Sequence, residues 1–147
     1  MSDITTFITA LEAAQNGAQY SAEVQKAAAG INTDDLKKAY AAAEAQGANA
    51  EVADPALSAA LKAGFEFAAK LVMELQSAPG NNEKTNLYVH YKIGNGVVVE
   101  KPGMFDMVKK HLFSNYEKAI AAGYNAQGSQ AAYIKQVIEL IAAKGLN

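Results

Sequence analysis

Few residues of this chain have side chains that could do chemistry, and they form no catalytic set. His90 and His111 are the only histidines, and neither has a carboxylate or a second histidine at metal-ligand spacing. The acids are scattered, with no pair on one helix face suited to acid–base work. Gly94 and Gly96 form a Gly-x-Gly unit without a preceding strand, and there is no cysteine. We therefore expect no catalytic residues, no metal site and no cofactor, and a binding protein rather than an enzyme.

The charged residues divide unevenly along the chain. Residues 1–60 contain three lysines and eight acids, whereas residues 61–147 contain ten lysines and seven acids. All 13 basic residues are lysine, which disfavours the arginine-led recognition of bases that nucleic-acid binding uses. A few convergent lysines still suffice for one small phosphate-bearing ligand on the second part. We expect no nucleic-acid partner, whereas binding of a small anionic ligand by residues 61–147 is left as an open alternative.

Length and hydropathy limit the class of protein. The 147 residues suit one domain, or one domain with an attached helical piece, and the mean hydropathy is -0.07. The longest apolar runs, such as Val97-Val98-Val99, are far shorter than the ~20 residues of a transmembrane helix. The first residues are polar and acidic rather than basic and then apolar, unlike a secretory signal. We expect a soluble, cytoplasmic protein without a membrane span.

The hydrophobic pattern is helical from end to end. Apolar residues recur at helical spacing behind cap residues at Asp3, Asn32, Asp54 and Ser129, and glycines follow the ends of most runs. Residues 97–99 are too few for a paired strand and are interpreted as a loop. The predicted helices cover approximately residues 4–16, 22–29, 33–46, 55–75, 83–93, 107–121 and 130–144. The four that follow residue 54 predict an all-α bundle over 55–147, preceded by a helical extension over 1–54.

Four sequence strings in this bundle carry a family resemblance. They are YVHYK at 88–92, KPGMFD at 101–106, FSNY at 113–116 and AAYIKQV at 131–137. In this order and spacing they resemble the acyl-CoA-binding protein family, small four-helix carriers of long-chain acyl-CoA esters, over residues 64–145. The resemblance implies a four-helix bundle that binds acyl-CoA in lipid and fatty acid metabolism or transport.

The resemblance also implies the ligand-binding residues. Tyr88 and Lys92 match the family residues at the nucleotide end of the ligand, and positions four apart share one helix face. Tyr133 matches the family tyrosine that fixes the CoA moiety. Lys109 and Lys110 are weaker candidates for phosphate contacts, although an ordinary surface role, with Asp106 paired to Lys110, is open. The acyl chain would lie in an apolar groove.

This chain departs from the family pattern at three positions. Leu112 stands where the family has a phosphate-binding lysine, and Phe113 and Tyr116 replace two tryptophans. We expect both rings to lie in the core. Four apolar residues near the start of the predicted helix 107–121 either line an acyl groove or fill the core: Met104, Phe105, Met107 and Val108. These departures leave affinity and chain-length preference open.

The extension over residues 1–54 has no counterpart in the minimal family domain. Its acidic balance argues against a second phosphate site, so we expect it to pack on the bundle or to offer a surface to a protein partner. Two alternatives to an acyl-CoA carrier stay open. One is a helical interaction module that has lost the ligand, and the other is a carrier of another amphipathic anion such as a fatty acid.

Overall fold

The computed structural model describes residues 4–17 and 20–147, and every regular element in those two ranges is helical. A 3-10 turn, Val72–Glu74, extends the fourth helix, and one isolated antiparallel bridge joins Leu75 to Leu146. The prediction of an all-α protein is confirmed. The helices are α1 Thr5–Gln15, α2 Ala22–Ala28, α3 Thr33–Gln46, α4 Pro55–Leu71, α5 Asn81–Gly94, α6 Met107–Ala121 and α7 Ala126–Lys144.

Side-chain caps begin several of these helices, as the sequence predicts. The Asn32 side chain accepts the backbone N–H of Asp35 at 3.0 Å at the start of α3. The Asp54 carboxylate accepts the N–H of Ala56 at 2.9 Å at the start of α4. Such caps satisfy N–H groups that have no partner within the helix. The predicted cap at Asp3 lies outside the described residues.

Two helix boundaries and one cap differ from the prediction. α4 ends at Leu71 rather than near residue 75, and α5 begins at Asn81, before Glu83. The cap predicted at Ser129 is wrong, because Asn125 accepts the N–H of Gly128 at 2.8 Å and starts α7 one turn earlier. Asparagine and serine are both good cap residues, and α7 begins after the earlier of the two, Asn125.

One hydrophobic core joins the extension to the bundle. Phe7 of α1 meets Phe67 of α4 edge to face, with ring centroids 5.5 Å apart, and both rings are fully buried. Leu36 of α3 lies so close to α4 that a Cβ on Gly64 would come within 2.5 Å of its Cδ1 atom. The helices of residues 1–54 therefore pack on the bundle.

The loop after α3 is also bound to the start of α7. The Asn125 amide donates to the Ala50 carbonyl at 2.9 Å, and the Gln127 amide oxygen accepts the N–H of Val52 at 2.6 Å. A Cβ on Gly128 would overlap the Ala48 carbonyl oxygen, so only glycine permits this approach. The extension is thus held at both its helices and its final loop.

α6 lies at the edge of the molecule. Its main contacts are with α5, and Ala119 is its one buried residue. The prediction of a core position is wrong for Phe113, which is half-buried and packs in neither hydrophobic cluster of the described residues. Tyr116 is also half-buried, but it packs against the small cluster of Val89, Ile93 and Ala119, and its ring stacks on that of Phe113 with centroids 6.1 Å apart. The physical reason is that the residues α6 contributes to the cluster with Val89 and Ile93 of α5 are Tyr116 and Ala119, both in its C-terminal half. No described helix is long and apolar enough to cross a bilayer.

Candidate ligand-binding site

Tyr88 and Lys92 lie on the same face of α5, one turn apart. The Lys92 Nζ atom is 5.5 Å from the centroid of the Tyr88 ring, a distance at which an ammonium group and a ring attract each other. The Tyr88 side chain is 37 % exposed, so it can still contact a ligand. The ring and the cation are therefore presented together at the surface.

Tyr88 lies on the rim of a large cleft, here named the tyrosine cleft. Its volume is about 910 Å³, and three tyrosines from two helices line it: Tyr88 and Tyr91 of α5 and Tyr133 of α7. Most of its other walls are formed by α2, by the turn at residues 29–31 and by α4. The volume lies within the roughly 300–1,000 Å³ typical of small-molecule sites. The fold thus brings Tyr133 into one cavity with Tyr88 across a separation of 45 positions in the chain.

Tyr133 forms the floor of the tyrosine cleft. It is only 5 % exposed, and its ring packs edge to face on Phe65 with centroids 5.2 Å apart and lies 6.1 Å from the ring of Tyr91. Burial, and then the neighbouring Tyr91, raises the pKa of the Tyr133 phenol well above its usual value. A phenol is already protonated at physiological pH at its ordinary pKa of about 10, so the raised pKa only extends the pH range over which the hydroxyl can donate a hydrogen bond.

Two further clefts meet the other side of Tyr88. The first, the lysine cleft, has a volume of about 230 Å³ and is lined by Tyr88, Lys92, Lys109 and Leu112 together with residues 97–100. The second, the α5–α6 groove, has a volume of about 710 Å³. Its lining residues are Asn81, Lys84, Thr85, Tyr88, Met107, Val108, His111 and Leu112. Tyr88 borders all three spaces, so a single ligand could extend from one into the next.

The two weaker lysine candidates differ in position. Lys109 lines the lysine cleft, but its Nζ atom lies 3.7 Å from the Asp106 carboxylate. Lys110 lines none of the three clefts. The predicted pairing of Asp106 with Lys110 is wrong, because the Asp106 carboxylate pairs with the Lys109 Nζ atom instead. The same carboxylate caps α6 by accepting the backbone N–H of Lys109 at 3.0 Å.

The apolar residues before and within the start of α6 are exposed. Phe105 is 91 % exposed, and Met104, Met107 and Val108 are each more than 70 % exposed. Of the two alternatives in the sequence, filling the core is therefore wrong. Met107 and Val108 line the α5–α6 groove, where apolar surface would be covered by an apolar ligand.

His90 lies away from these clefts. It is buried, its Nδ1 atom is 3.0 Å from the Ser129 hydroxyl oxygen, and its ring lies 4.6 Å from that of Tyr124. Burial lowers the pKa of His90 to about 4. His90 is therefore a buried side chain that packs and forms a hydrogen bond within the fold. Among the residues that the structure describes, no cluster of three metal-ligating side chains occurs.

Sequence reasoning missed part of the tyrosine cleft. Tyr91 could have been found, because it follows Tyr88 by three positions and so lies on a neighbouring helix face. Lys26 and Ile31 also line the cleft, and no local pattern places them near α5. Their position depends on how the extension folds back.

The described part of the chain is thus an all-α bundle with clefts around α5, and Tyr88 lines three of them. Comparison with known proteins identifies it further. The family model described as acyl CoA binding protein matches residues 62–137, which is more than half of the chain. The chain belongs to the acyl-CoA-binding protein family, as the four strings predict.

Two curated relatives agree with this assignment. The acyl-CoA-binding protein homolog of Manduca sexta is 35 % identical over 89 residues, which cover 58 % of this chain and 97 % of the relative. The acyl-CoA-binding protein homolog 1 of Caenorhabditis elegans is 36 % identical over 83 residues, which cover 55 % of this chain and 94 % of the relative. No solved structure gives a significant match.

Proposed function

We propose that this chain binds long-chain acyl-CoA esters and carries or buffers them in the cytoplasm, as a binding protein and not as an enzyme. Family membership supports acyl-CoA as the ligand. The single structural observation that carries the proposal is the position of Tyr88 between the tyrosine cleft, the lysine cleft and the α5–α6 groove. A ligand with a nucleotide, phosphates and an acyl chain needs three such adjoining surfaces.

In this proposal the nucleotide end is held by Tyr88, Lys92 and Tyr133. Stacking of a base on a ring is worth roughly 1–3 kcal/mol. A charge-assisted hydrogen bond from Lys92 to a phosphate adds about 1.5–3 kcal/mol, and less where water screens it. The Tyr133 hydroxyl can donate a hydrogen bond, since a phenol is protonated at physiological pH at its ordinary pKa of about 10. Lys109 is a secondary phosphate contact, and Lys110 stays the weakest of the proposed ligand residues.

The acyl chain lies in the α5–α6 groove. Met107, Val108 and Leu112 line this groove, and each methylene group that is removed from water contributes about 0.8 kcal/mol. Leu112 replaces the family lysine, so the groove gains apolar surface where the family has a charge. We expect long acyl chains to bind more tightly than short ones.

The test is a competition titration of the full chain with palmitoyl-CoA, free CoA and palmitate. Palmitoyl-CoA should bind most tightly, because it alone uses both the nucleotide surfaces and the groove. Absence of heat with palmitoyl-CoA at micromolar protein, with the helical circular dichroism intact, would exclude the proposal. Tight binding of palmitate with no competition from CoA would favour a fatty acid carrier.

The alternative of an interaction module that has lost its ligand is not favoured. Nothing in the comparisons or in the described part of the chain supports a protein partner. The extension uses apolar residues such as Phe7 and Leu36 for packing against the bundle.

A further inference from the structure

α2 packs into the main hydrophobic core and buries two of its seven residues there. Val24 and Ala28 are buried in the main core. The Gln15 amide donates to the carbonyls of Ala28 at 3.1 Å and Ile31 at 2.8 Å, which ties α1 to the end of α2. These contacts use the side of α2 that faces the core. The opposite side of α2 is therefore held in a fixed position relative to α4 and α5.

That other side forms a wall of the tyrosine cleft. Glu23, Lys26 and Ala27 of α2 line the cleft together with the turn at residues 29–31. The facing positions on α4 include Ala63 and Ala69, so small side chains on two helices leave the space between them open. The rings of Tyr88, Tyr91 and Tyr133 close the remaining side. The extension and the proposed nucleotide-binding residues therefore share one cavity.

Four charged side chains line the tyrosine cleft. Glu23 of α2 and Lys70 of α4 form an exposed ion pair, with oxygen and nitrogen 3.9 Å apart. Lys26 and Glu66 are both exposed, and no described residue forms an ion pair with either of them. Of the two lysines that line this cleft, Lys26 is therefore the one without an ion-pair partner among the described residues, whereas Glu66 repels an anionic ligand.

We infer that α2 and the turn after it form the second wall of the ligand site, and that Lys26 contacts a phosphate of the nucleotide end. This inference rests on the proposed function, because Tyr88 and Tyr133 must hold the nucleotide for α2 to meet it. The family match begins at residue 62. Lys26 lies before this match, so its contact would extend the ligand site beyond the matched domain.

The test measures the affinity of the full chain for palmitoyl-CoA and for free CoA. Lys26→Ala should raise Kd about 3- to 10-fold at low ionic strength for both ligands, because a phosphate contact is common to both. The matched control is Lys38→Ala, which removes an exposed lysine of α3 in the same extension and should change Kd less than about 2-fold. High salt should reduce the effect of Lys26→Ala, since exposed charges are screened.

Two further variants give effects of opposite sign and of different origin. Glu66→Gln should lower Kd about 2- to 3-fold at low salt, because it removes a repulsive charge from the same cleft. Ala27→Phe should raise Kd about 10-fold or more at every salt concentration, because the ring occupies the space between α2 and α4. Urea unfolding of each variant separates loss of affinity from loss of fold.

The outcomes distinguish this inference from the proposed function. If the unmodified chain binds palmitoyl-CoA but Lys26→Ala and Ala27→Phe bind as the Lys38→Ala control does, the inference is overturned and the function stands. If the folded, unmodified chain binds neither ligand, both fail. Loss of affinity for palmitoyl-CoA with unchanged affinity for free CoA would also overturn it, because Lys26 would then contact the acyl part.

Discussion

The Lys92 Nζ atom lies 5.5 Å from the centroid of the Tyr88 ring, so a cation and an aromatic face are already together on α5. The Tyr88 ring borders three clefts, and Lys92 lines one of them. In the proposed site, a base on the ring face that Lys92 does not cover and a phosphate at Lys92 would need little reorganisation of these two side chains. Preorganisation of this kind lowers the entropy that binding must overcome.

The first prediction concerns Lys92. Lys92→Ala should weaken palmitoyl-CoA binding about 10-fold at low salt and clearly less at high salt, because the contribution is coulombic. Titration calorimetry at the two salt concentrations measures this difference. Lys62→Ala, an exposed lysine of α4, is the control and should have little effect. An equal loss at both salt concentrations would mean that Lys92 does not contact a phosphate.

The second prediction separates the ring of Tyr133 from its hydroxyl. Tyr133→Ala removes a buried ring that packs on Phe65 and should lower the free energy of unfolding by about 3–5 kcal/mol. Tyr133→Phe keeps the ring and should change stability far less, while it weakens ligand binding through loss of the hydroxyl donor. Urea unfolding and calorimetry on both variants measure the two effects. Unchanged affinity in Tyr133→Phe would show that the hydroxyl does not touch the ligand.

The third prediction concerns the family lysine that this chain lacks. Leu112→Lys places a cation between Lys92 and the α5–α6 groove, and should raise the affinity for free CoA about 3- to 10-fold at low salt. Leu112→Met keeps an apolar side chain of similar size and serves as the control. Competition binding compares the two variants. Equal affinities would place Leu112 away from the phosphates.

The fourth prediction is a pH dependence of stability. The pKa of His90 is about 4 in the folded chain, against an ordinary value of 6.5. Between these values the unfolded chain takes up a proton that the folded chain does not, so folded stability falls as the pH decreases from about 6.5 towards 4. The loss should reach roughly 2–3 kcal/mol, which urea unfolding at several pH values measures.

The matched variants for this pH dependence are His90→Gln and His111→Gln. His90→Gln should flatten the decrease in stability, because it removes the group that titrates. His111 is exposed, so His111→Gln should leave the decrease as it is. An unchanged pH profile in His90→Gln would contradict the assignment.

The fifth prediction tests the contact between the extension and α7. Gly128→Ala should lower the free energy of unfolding by about 1–3 kcal/mol or more, because the added methyl group would overlap the Ala48 carbonyl oxygen. Gly103→Ala is the control, since a Cβ there meets no atom within 4 Å. Chemical unfolding compares the two. Equal stabilities would mean that the loop at residues 47–50 moves away at no cost.

Much of the helical fold could be predicted from local signals. The caps at Asn32 and Asp54 and the proline after the latter act within one helical turn, so a short stretch of sequence contains the whole interaction. The same holds for Tyr88 and Lys92, because a spacing of four places two residues on one face of any helix. The failures have a different origin. Ser129 resembles a cap but is buried against His90, and the surroundings of Phe113 depend on how far α6 leans on α5.

The sequence alone determined that the chain is helical, where most helices begin and end, and which ring and cation lie together on α5. Tertiary structure decided that Tyr133 lies in one cleft with Tyr88, and that α2 of the extension lines the same cleft. Local preferences act over three or four residues, whereas these placements arise from burial of apolar faces that are far apart in the chain. The energy of that packing depends on all helices at once, so no single segment contains it.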